Sequence, residues 1–323
     1  MANKPWQTAL KAALKGGTDQ PLANQAAYTA AAAGLFAPVL TDEVSGQIDW
    51  SDPADPVLKQ FLPVAEELHE DPDSSADPVG DQAASQAPGV IHKYRGRVLL
   101  IASGSCAVNC RYCFRRHFDY RQQFAPRNNW HAAISYLTGR SDVHEVILSG
   151  GDPLTLQDET LNGLTEQLAK LPHIKTLRIH SRIPVVLPQR IDAGFIKWSQ
   201  SVNLNKVMVL HINHPNEISP AASTAIEQLH QAGFVLLNQS VLLKGVNDQA
   251  GILADLSHQL FKHHTLPYYL HQFDAVQNAG HFAVADELAL QIHQQLRDLL
   301  PGYLLRTLVR EVAGEAAKTP LIL

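Results

Sequence analysis

Ser105-Cys-Ala-Val-Asn-Cys-Arg-Tyr-Cys-Phe114 holds all three cysteines of the chain, Cys106, Cys110 and Cys113, within eight residues. Random scatter over 323 residues would group them so tightly with a probability on the order of one in a thousand, so they read as one ligand set. A four-iron cluster normally takes four thiolates. Three leave one iron open to coordinate and activate a small molecule. Other readings of the same residues are three small buried hydrophobes and a structural zinc site with His117 as fourth ligand. Disulfide pairing would leave one thiol over, and nothing in the chain reads as secretory.

Around this stretch, short apolar runs alternate with segments of helical periodicity. The runs are Val98-Leu-Leu-Ile-Ala102, Glu145-Val-Ile-Leu148, Thr176-Leu-Arg-Ile179, Lys206-Val-Met-Val-Leu210, Phe234-Val-Leu-Leu237 and Tyr268-Tyr-Leu270. Six strands separated by helices predict an α/β fold, a parallel succession of the partial (βα)6 TIM-like barrel kind. Polar or glycine residues follow nearly every run, as in Gly150-Gly-Asp152, His180-Ser-Arg182, His211-Ile-Asn-His214, Asn238-Gln239 and Gln272-Phe-Asp274. In parallel barrels the site forms at the carboxyl ends of the strands, so these residues are expected to converge on one mouth. Residues 1–70 read as helical, and the Asp-, Pro-, Ser- and Gly-rich stretch 71–89 reads as a linker or extended wrap. The expected division is a helical N-terminal region and linker over 1–89, wrapping a barrel over 90–323.

Hydrophobic residues at 45% and charged residues at 18% describe an ordinary soluble globule. A formal charge of −5 gives no electrostatic reason to expect nucleic acid or an anionic membrane. No apolar stretch has the length of a membrane span or the pattern of an export signal. Reduced thiolate ligands suit the cytoplasm. The expected partner is a small-molecule substrate.

The C-x3-C-x2-C spacing resembles that of the radical S-adenosylmethionine enzymes, which implies a [4Fe-4S] cluster on Cys106, Cys110 and Cys113 whose open iron holds S-adenosylmethionine. Ser149-Gly-Gly-Asp-Pro153 follows a strand, and its two glycines permit close backbone approach. It is similar to the motif with which that family holds the methionine amino group, which implies cofactor contacts at Gly150, Gly151 and Asp152. The likeness extends further. Asp77-Pro-Val-Gly-Asp81, His92-Lys-Tyr-Arg-Gly-Arg-Val98, His211-Ile-Asn-His-Pro-Asn-Glu217, Asn238-Gln-Ser-Val-Leu-Leu-Lys-Gly-Val-Asn-Asp248 and Lys318-Thr-Pro320 together resemble the lysine 2,3-aminomutase family, in order from about residue 52 to 320.

By that resemblance Lys318 would form a Schiff base with pyridoxal 5′-phosphate, a role lysine fills because burial readily yields its neutral amine. Tyr94 would pack on the pyridine ring, and Lys93, Arg97 and Gln239 would lie near the phosphate. Arg115 would clamp the substrate α-carboxylate with its planar fork. Asp274 and Glu311 would bind the ε-ammonium of L-lysine. The implied reaction is a 2,3-amino migration giving β-lysine, driven by a radical from S-adenosylmethionine and by a reducing donor such as flavodoxin or ferredoxin.

Three departures stand out. Lys93 occupies a position where the family commonly has arginine, Glu311 one where the free-lysine enzymes have aspartate, and Ala313-Gly-Glu-Ala-Ala317 replaces a nearly pure glycine run. The sequence ends five residues after Lys318, without the oligomerisation segment and zinc-binding cysteines of the free-lysine enzymes. This likeness points to the shorter branch, whose members supply (R)-β-lysine for modification of elongation factor P by its lysyl ligase. A pyridoxal-independent radical enzyme of other specificity, or a non-catalytic iron–sulfur or zinc protein, remains the alternative.

Overall fold

Each of the six expected runs forms a strand in the computed structural model, which is described over residues 4–15, 20–126 and 130–322. They are β3 to β8 of a ten-stranded sheet: β1 (Ser85–Ala87), β2 (Val90–Tyr94), β3 (Arg97–Ser103), β4 (Glu145–Gly150), β5 (Thr176–Ser181), β6 (Asn205–His211), β7 (Val235–Val241), β8 (Thr265–His271), β9 (Thr307–Arg310) and β10 (Thr319–Pro320). The spatial order follows the chain. β3 to β9 are all parallel, whereas β1, β2 and β10 add antiparallel margins. The parallel set therefore has a seventh member, β9, which the run-by-run reading did not include.

Helices over His131–Thr138, Asp158–Leu168, Ala193–Ser201, Pro220–Gln231, Ala250–Lys262 and Asp286–Leu299 make the six crossovers. Their starts are written in the sequence: Asp192 and Ser219 accept hydrogen bonds from the backbone N–H groups of Phe195 and Ala222, satisfying donors of the first turn. Alternation along the strands sends Leu177 and Ile179 into the core, while Arg178 and His180 line the interior cavity. The sheet curves on itself. Tyr94, at the end of β2, donates to Glu311, just past β9, at 2.6 Å, although six strands lie between them in the sheet.

The helical expectation for residues 1–70 is met only in pieces. Pro5–Leu14, Gln20–Ala23, Ala30–Leu35 and Asp42–Ser45 are α-helical and Leu58–Gln60 and Ala65–Leu68 form 3-10 turns; residues 1–3 and 16–19 lie outside the described residues. Pro38, Pro53, Pro56 and Pro63 each remove a backbone donor, which prevents longer helices. Trp6, Leu10, Leu22, Leu40, Val44 and Phe61 share one apolar core with the barrel residues Val98, Leu148 and Ile179. Residue 89 is thus no boundary between cores. The segment over 71–89 runs along the barrel, with Ser75 bridging to Val276 and Asp77 accepting from the N–H groups of Asp81 and Gln82.

Candidate active site

Within the barrel, at the carboxyl ends of the strands, lies a cavity of about 1710 Å³, counting the space at its open mouth. All fourteen residues proposed from the sequence for cluster, cofactor or substrate line it, drawn from β2, β3, the loop after β3, the ends of β4 and β7, and the segments after β8 and β9.

The cysteine loop begins where β3 ends. Its non-cysteine residues anchor it. Arg111, fully buried, donates to Glu67 at 2.8 and 2.6 Å and to the carbonyls of Phe36 and Ala32. The N–H groups of Asn109 and Arg111 bond to the carbonyls of Val39 and Gln60. The N-terminal region therefore grips one face of the loop while the three cysteines face the cavity. Arg182 donates through Nη1 to Cys110 Sγ at 2.8 Å and to the Tyr112 hydroxyl oxygen at 2.6 Å, and through Nη2 to Gln60 and Glu217. Burial, together with the neighbouring sulfurs, pushes the Cys106 thiol well up and that of Cys113 up to about 11. Three sulfurs facing one cavity, two of them with raised proton affinity and the third, Cys110, with a cationic donor on it, suit a polynuclear cationic group that neutralises them together. His117, the candidate fourth zinc ligand, is exposed and 3.4 Å from the Gln277 carbonyl, and it is not among the cavity-lining residues.

Gly150 and Gly151 lie beside this loop. Gly150 has φ +114°, and a Cβ on it would stand 2.6 Å from the Ser103 carbonyl oxygen; one on Gly151 would stand 2.5 Å from that of Ser105. Both residues line the cavity, but the close approach their lack of a side chain permits is to the protein's own main chain. Asp152 has its carboxylate engaged by Ser181 and by the N–H groups of Leu154, Arg182 and Ile183. Its N–H bonds to the Ser105 carbonyl, so it ties strand ends to the cysteine loop.

A chain of alternating charge runs along the cavity wall from Arg115, two residues after Cys113. Arg115 donates through Nε to Asp81 at 2.7 Å and through Nη1 to Ser149 at 3.1 Å. Asp81 also pairs with Lys93 at 2.7 Å, Lys93 reaches Glu311 at 3.2 Å, and Glu311 pairs with Lys318. Burial opposes ionisation of Glu311, yet the ammonium groups of Lys318 and Lys93 hold its carboxyl down to about 2. Asp274 is the contrast: burial, with Glu311 nearby, pushes it up to about 7. Arg97 stacks on Tyr94 with its guanidinium carbon 4.6 Å from the ring centre. Its guanidinium and the Gln239 amide have no hydrogen-bond partner among the described residues, leaving free donors toward an anion.

Sequence reasoning gave no individual role to Asp81, Arg182 or the cavity-lining His180, His211 and His271, although all lie in quoted motifs or at strand ends. Burial and nearby cations keep His180 and His271 neutral, and the Nε2 of each is buried without a hydrogen-bond partner. Orphaned polar atoms in a cavity wall fit a site built to surround a bound group.

Residues 94–180 match a family model described as a 4Fe-4S single cluster domain. The L-lysine 2,3-aminomutase of Haemophilus influenzae is 46% identical over 289 residues, covering 90% of this chain and 86% of that one. The Escherichia coli protein of the same name is 45% identical over 89% of this chain and 84% of its own, and that of Clostridium subterminale 39% identical over 85% and 66%. Among solved structures, a radical SAM methyltransferase from Sphaerobacter thermophilus aligns at 16% identity over 68% of each chain with TM-score 0.46, too loose a likeness to argue from. A cysteine loop, a lysine-bearing cavity and near-full-length identity of this order agree: the chain belongs to the lysine 2,3-aminomutase family.

Proposed function

We propose that this protein converts L-lysine to β-lysine, of R configuration, by 2,3-amino migration, using a [4Fe-4S] cluster, S-adenosylmethionine and pyridoxal 5′-phosphate. One observation carries the reading: Lys318 opens into the same cavity as Cys106, Cys110 and Cys113, more than 200 positions earlier in the chain. When bound, these groups supply a carbon radical and a conjugated carbonyl that delocalises it. The chain's own residues bind, orient and enclose. The three cysteines hold the cluster, and the main chain of Gly150 and Gly151 borders S-adenosylmethionine. Lys318 offers its amine to the pyridoxal, Tyr94 its ring face, and Arg97 and Gln239 their free donors to the phosphate. Arg115, fixed through Nε and Nη1, presents its remaining nitrogen to the substrate carboxylate. Asp274 and Glu311 meet the distal ammonium, which favours a long cationic side chain. The strand ends and the N-terminal segments keep water from the reacting atoms.

The relatives' names support lysine as substrate. The branch likeness supports the finer proposals: free lysine as substrate in the cytoplasm, flavodoxin or ferredoxin as reductant, and a product destined for elongation factor P and its lysyl ligase. Among the described residues no helix is long and apolar enough to cross a membrane.

The test is anaerobic reconstitution with iron, sulfide and pyridoxal phosphate, followed by S-adenosylmethionine, dithionite and L-lysine, with β-lysine resolved by chiral chromatography. The expected result is (R)-β-lysine, lost in Cys110→Ala and Lys318→Ala. Cleavage of S-adenosylmethionine with lysine untouched would keep the radical class and reject free lysine as substrate. Lysylated elongation factor P, offered next, then decides whether the aminomutase reading survives.

A further inference from the structure

Lys93 is the residue whose surroundings differ most from its sequence-based role. An ammonium has three N–H donors and no more. Here the ammonium donates to the Val79 carbonyl at 2.7 Å and to Glu311 Oε1 at 3.2 Å, and its third neighbour is Asp81 Oδ1, an ion pair at 2.7 Å. The ammonium is thus enclosed by three protein oxygens, two of them carboxylates that a phosphate would have to displace. Arg97, one strand away on β3, has its five guanidinium N–H donors without a hydrogen-bond partner among the described residues.

Resting on the proposed function, we infer that Lys93 is a positioning residue of the substrate end of the cavity, not a ligand of the cofactor phosphate, and that Arg97 carries phosphate recognition. Lys93 stands between the two carboxylates that govern the substrate's ends. Asp81 fixes the Nε edge of Arg115, the proposed carboxylate clamp. Glu311, a proposed ammonium ligand, is steadied by Lys93 and by the Tyr94 hydroxyl at 2.6 Å. Removing Lys93 would leave Asp81 with Arg115 alone and Glu311 with only the Tyr94 hydroxyl and Lys318, so both ends of the substrate site lose alignment together.

The two departures from the family pattern then form one unit. Glutamate at 311 has the extra methylene needed to span Lys93, Tyr94 and Lys318 at once, and lysine at 93 is the compact charge that meets it. A planar guanidinium at 93 would spread its donors over a wider fork.

The experiment titrates pyridoxal phosphate into parent, Lys93→Met, Lys93→Arg and Arg97→Met proteins, following the visible absorbance of the lysine adduct and trapping it with borohydride. The KM and kcat for L-lysine are measured alongside. Expected results are cofactor affinity within about threefold of the parent for Lys93→Met and at least about tenfold weaker for Arg97→Met. The KM for lysine should rise about tenfold or more in Lys93→Met and recover only in part in Lys93→Arg, which restores the charge but spreads its donors over a wider fork. A loss of cofactor affinity in Lys93→Met as large as in Arg97→Met overturns the inference, and so does an unchanged affinity in Arg97→Met, a result that stands even if Lys93→Met does not fold. A parent protein that takes up no pyridoxal phosphate refutes the proposed function instead, which keeps the two failures apart.

Discussion

Arg182 Nη1 lies 2.8 Å from Cys110 Sγ, and the same guanidinium reaches Glu217 Oε2 at 2.7 Å, with both partners of that ion pair buried. One side chain therefore joins the cysteine loop to the turn Pro215–Glu217 that follows β6. Its charge answers a buried carboxylate on one side and a sulfur on the other. Truncating it as Arg182→Met strands Glu217, and breaking a buried pair from one end costs about 3–5 kcal/mol. Urea unfolding of the cluster-free protein should show that loss. Adding Glu217→Gln should return a good part of it, whereas the reduction potential of the reconstituted cluster should stay shifted in the double variant, because the donor to Cys110 is still missing. Equal potentials in parent and double variant would rule out a role for Arg182 at the sulfur.

Gly151→Ala tests how the glycine pair serves the loop. The added Cβ would stand 2.5 Å from the Ser105 carbonyl oxygen, which is backbone and cannot rotate away. Either β4 or the residue preceding Cys106 must move. We expect a loss of about 1–3 kcal/mol, the usual range for forcing an atom into packed space, and a lower iron content after reconstitution. Gly251→Ala, where nothing stands within 4 Å, is the control and should be neutral or slightly stabilising because its site is helical.

The acid at 274 gives the protein a pH signature. Its folded pKa of about 7 lies above the ordinary carboxyl value, through burial first and Glu311 second. The folded state therefore holds this proton more tightly than the unfolded chain does. That contribution is complete below about pH 4 and is lost as pH rises through 7. Asp274→Asn removes the ionisation, so the ligand-free variant should gain on the parent between pH 5 and pH 8, by about 2 kcal/mol after discounting for water in the open cavity. Denaturant melts at the two pH values check this; a parallel offset at both would contradict the assignment. Lysine binding has the opposite demand, since an ammonium beside Asp274 favours the ionised acid. Calorimetry near pH 6.5 in two buffers of different ionisation enthalpy should register proton release.

Much of this site is legible before any coordinates, because spacing and strand periodicity are local. Cys106, Cys110 and Cys113 announce themselves by their interval, and the six apolar runs end in the residues that line the cavity. What escapes is nonlocal or short. β9 is only Thr307–Arg310, and four residues carry too little alternation to separate from a turn. Arg182 owes its place to Gln60, Cys110, Tyr112 and Glu217, which no sequence interval relates. Lys93 resembles a phosphate ligand by position, but its carboxylate partners come from 12 residues before it and 218 after it, and only the fold places them together. In residues 1–70 charged residues such as Lys11, Lys15, Glu66 and Glu67 among apolar positions read as helix, but Pro38, Pro53, Pro56 and Pro63 break it into short pieces.

Glu67 shows why the N-terminal region belongs to the site. It is fully buried and accepts from Arg111 at 2.8 and 2.6 Å and from Arg116 at 2.9 Å, so one carboxylate from residues outside the barrel holds two guanidinium groups of the cysteine loop. Glu67→Gln keeps the volume and removes the charge, leaving two arginines facing each other with only carbonyls to answer them. The expected loss is about 3–5 kcal/mol in denaturant unfolding. Glu66→Gln, on the exposed neighbour, should stay within about 0.5 kcal/mol. The loop should also loosen before the barrel does. Hydrogen exchange at the amides of Asn109 and Arg111, which bond to Val39 and Gln60, should quicken in Glu67→Gln under conditions where β4 to β7 remain protected, and iron uptake should fall with it. Exchange that quickens uniformly across the strands would mean that the ion pair supports the whole barrel and holds nothing special for the cysteines.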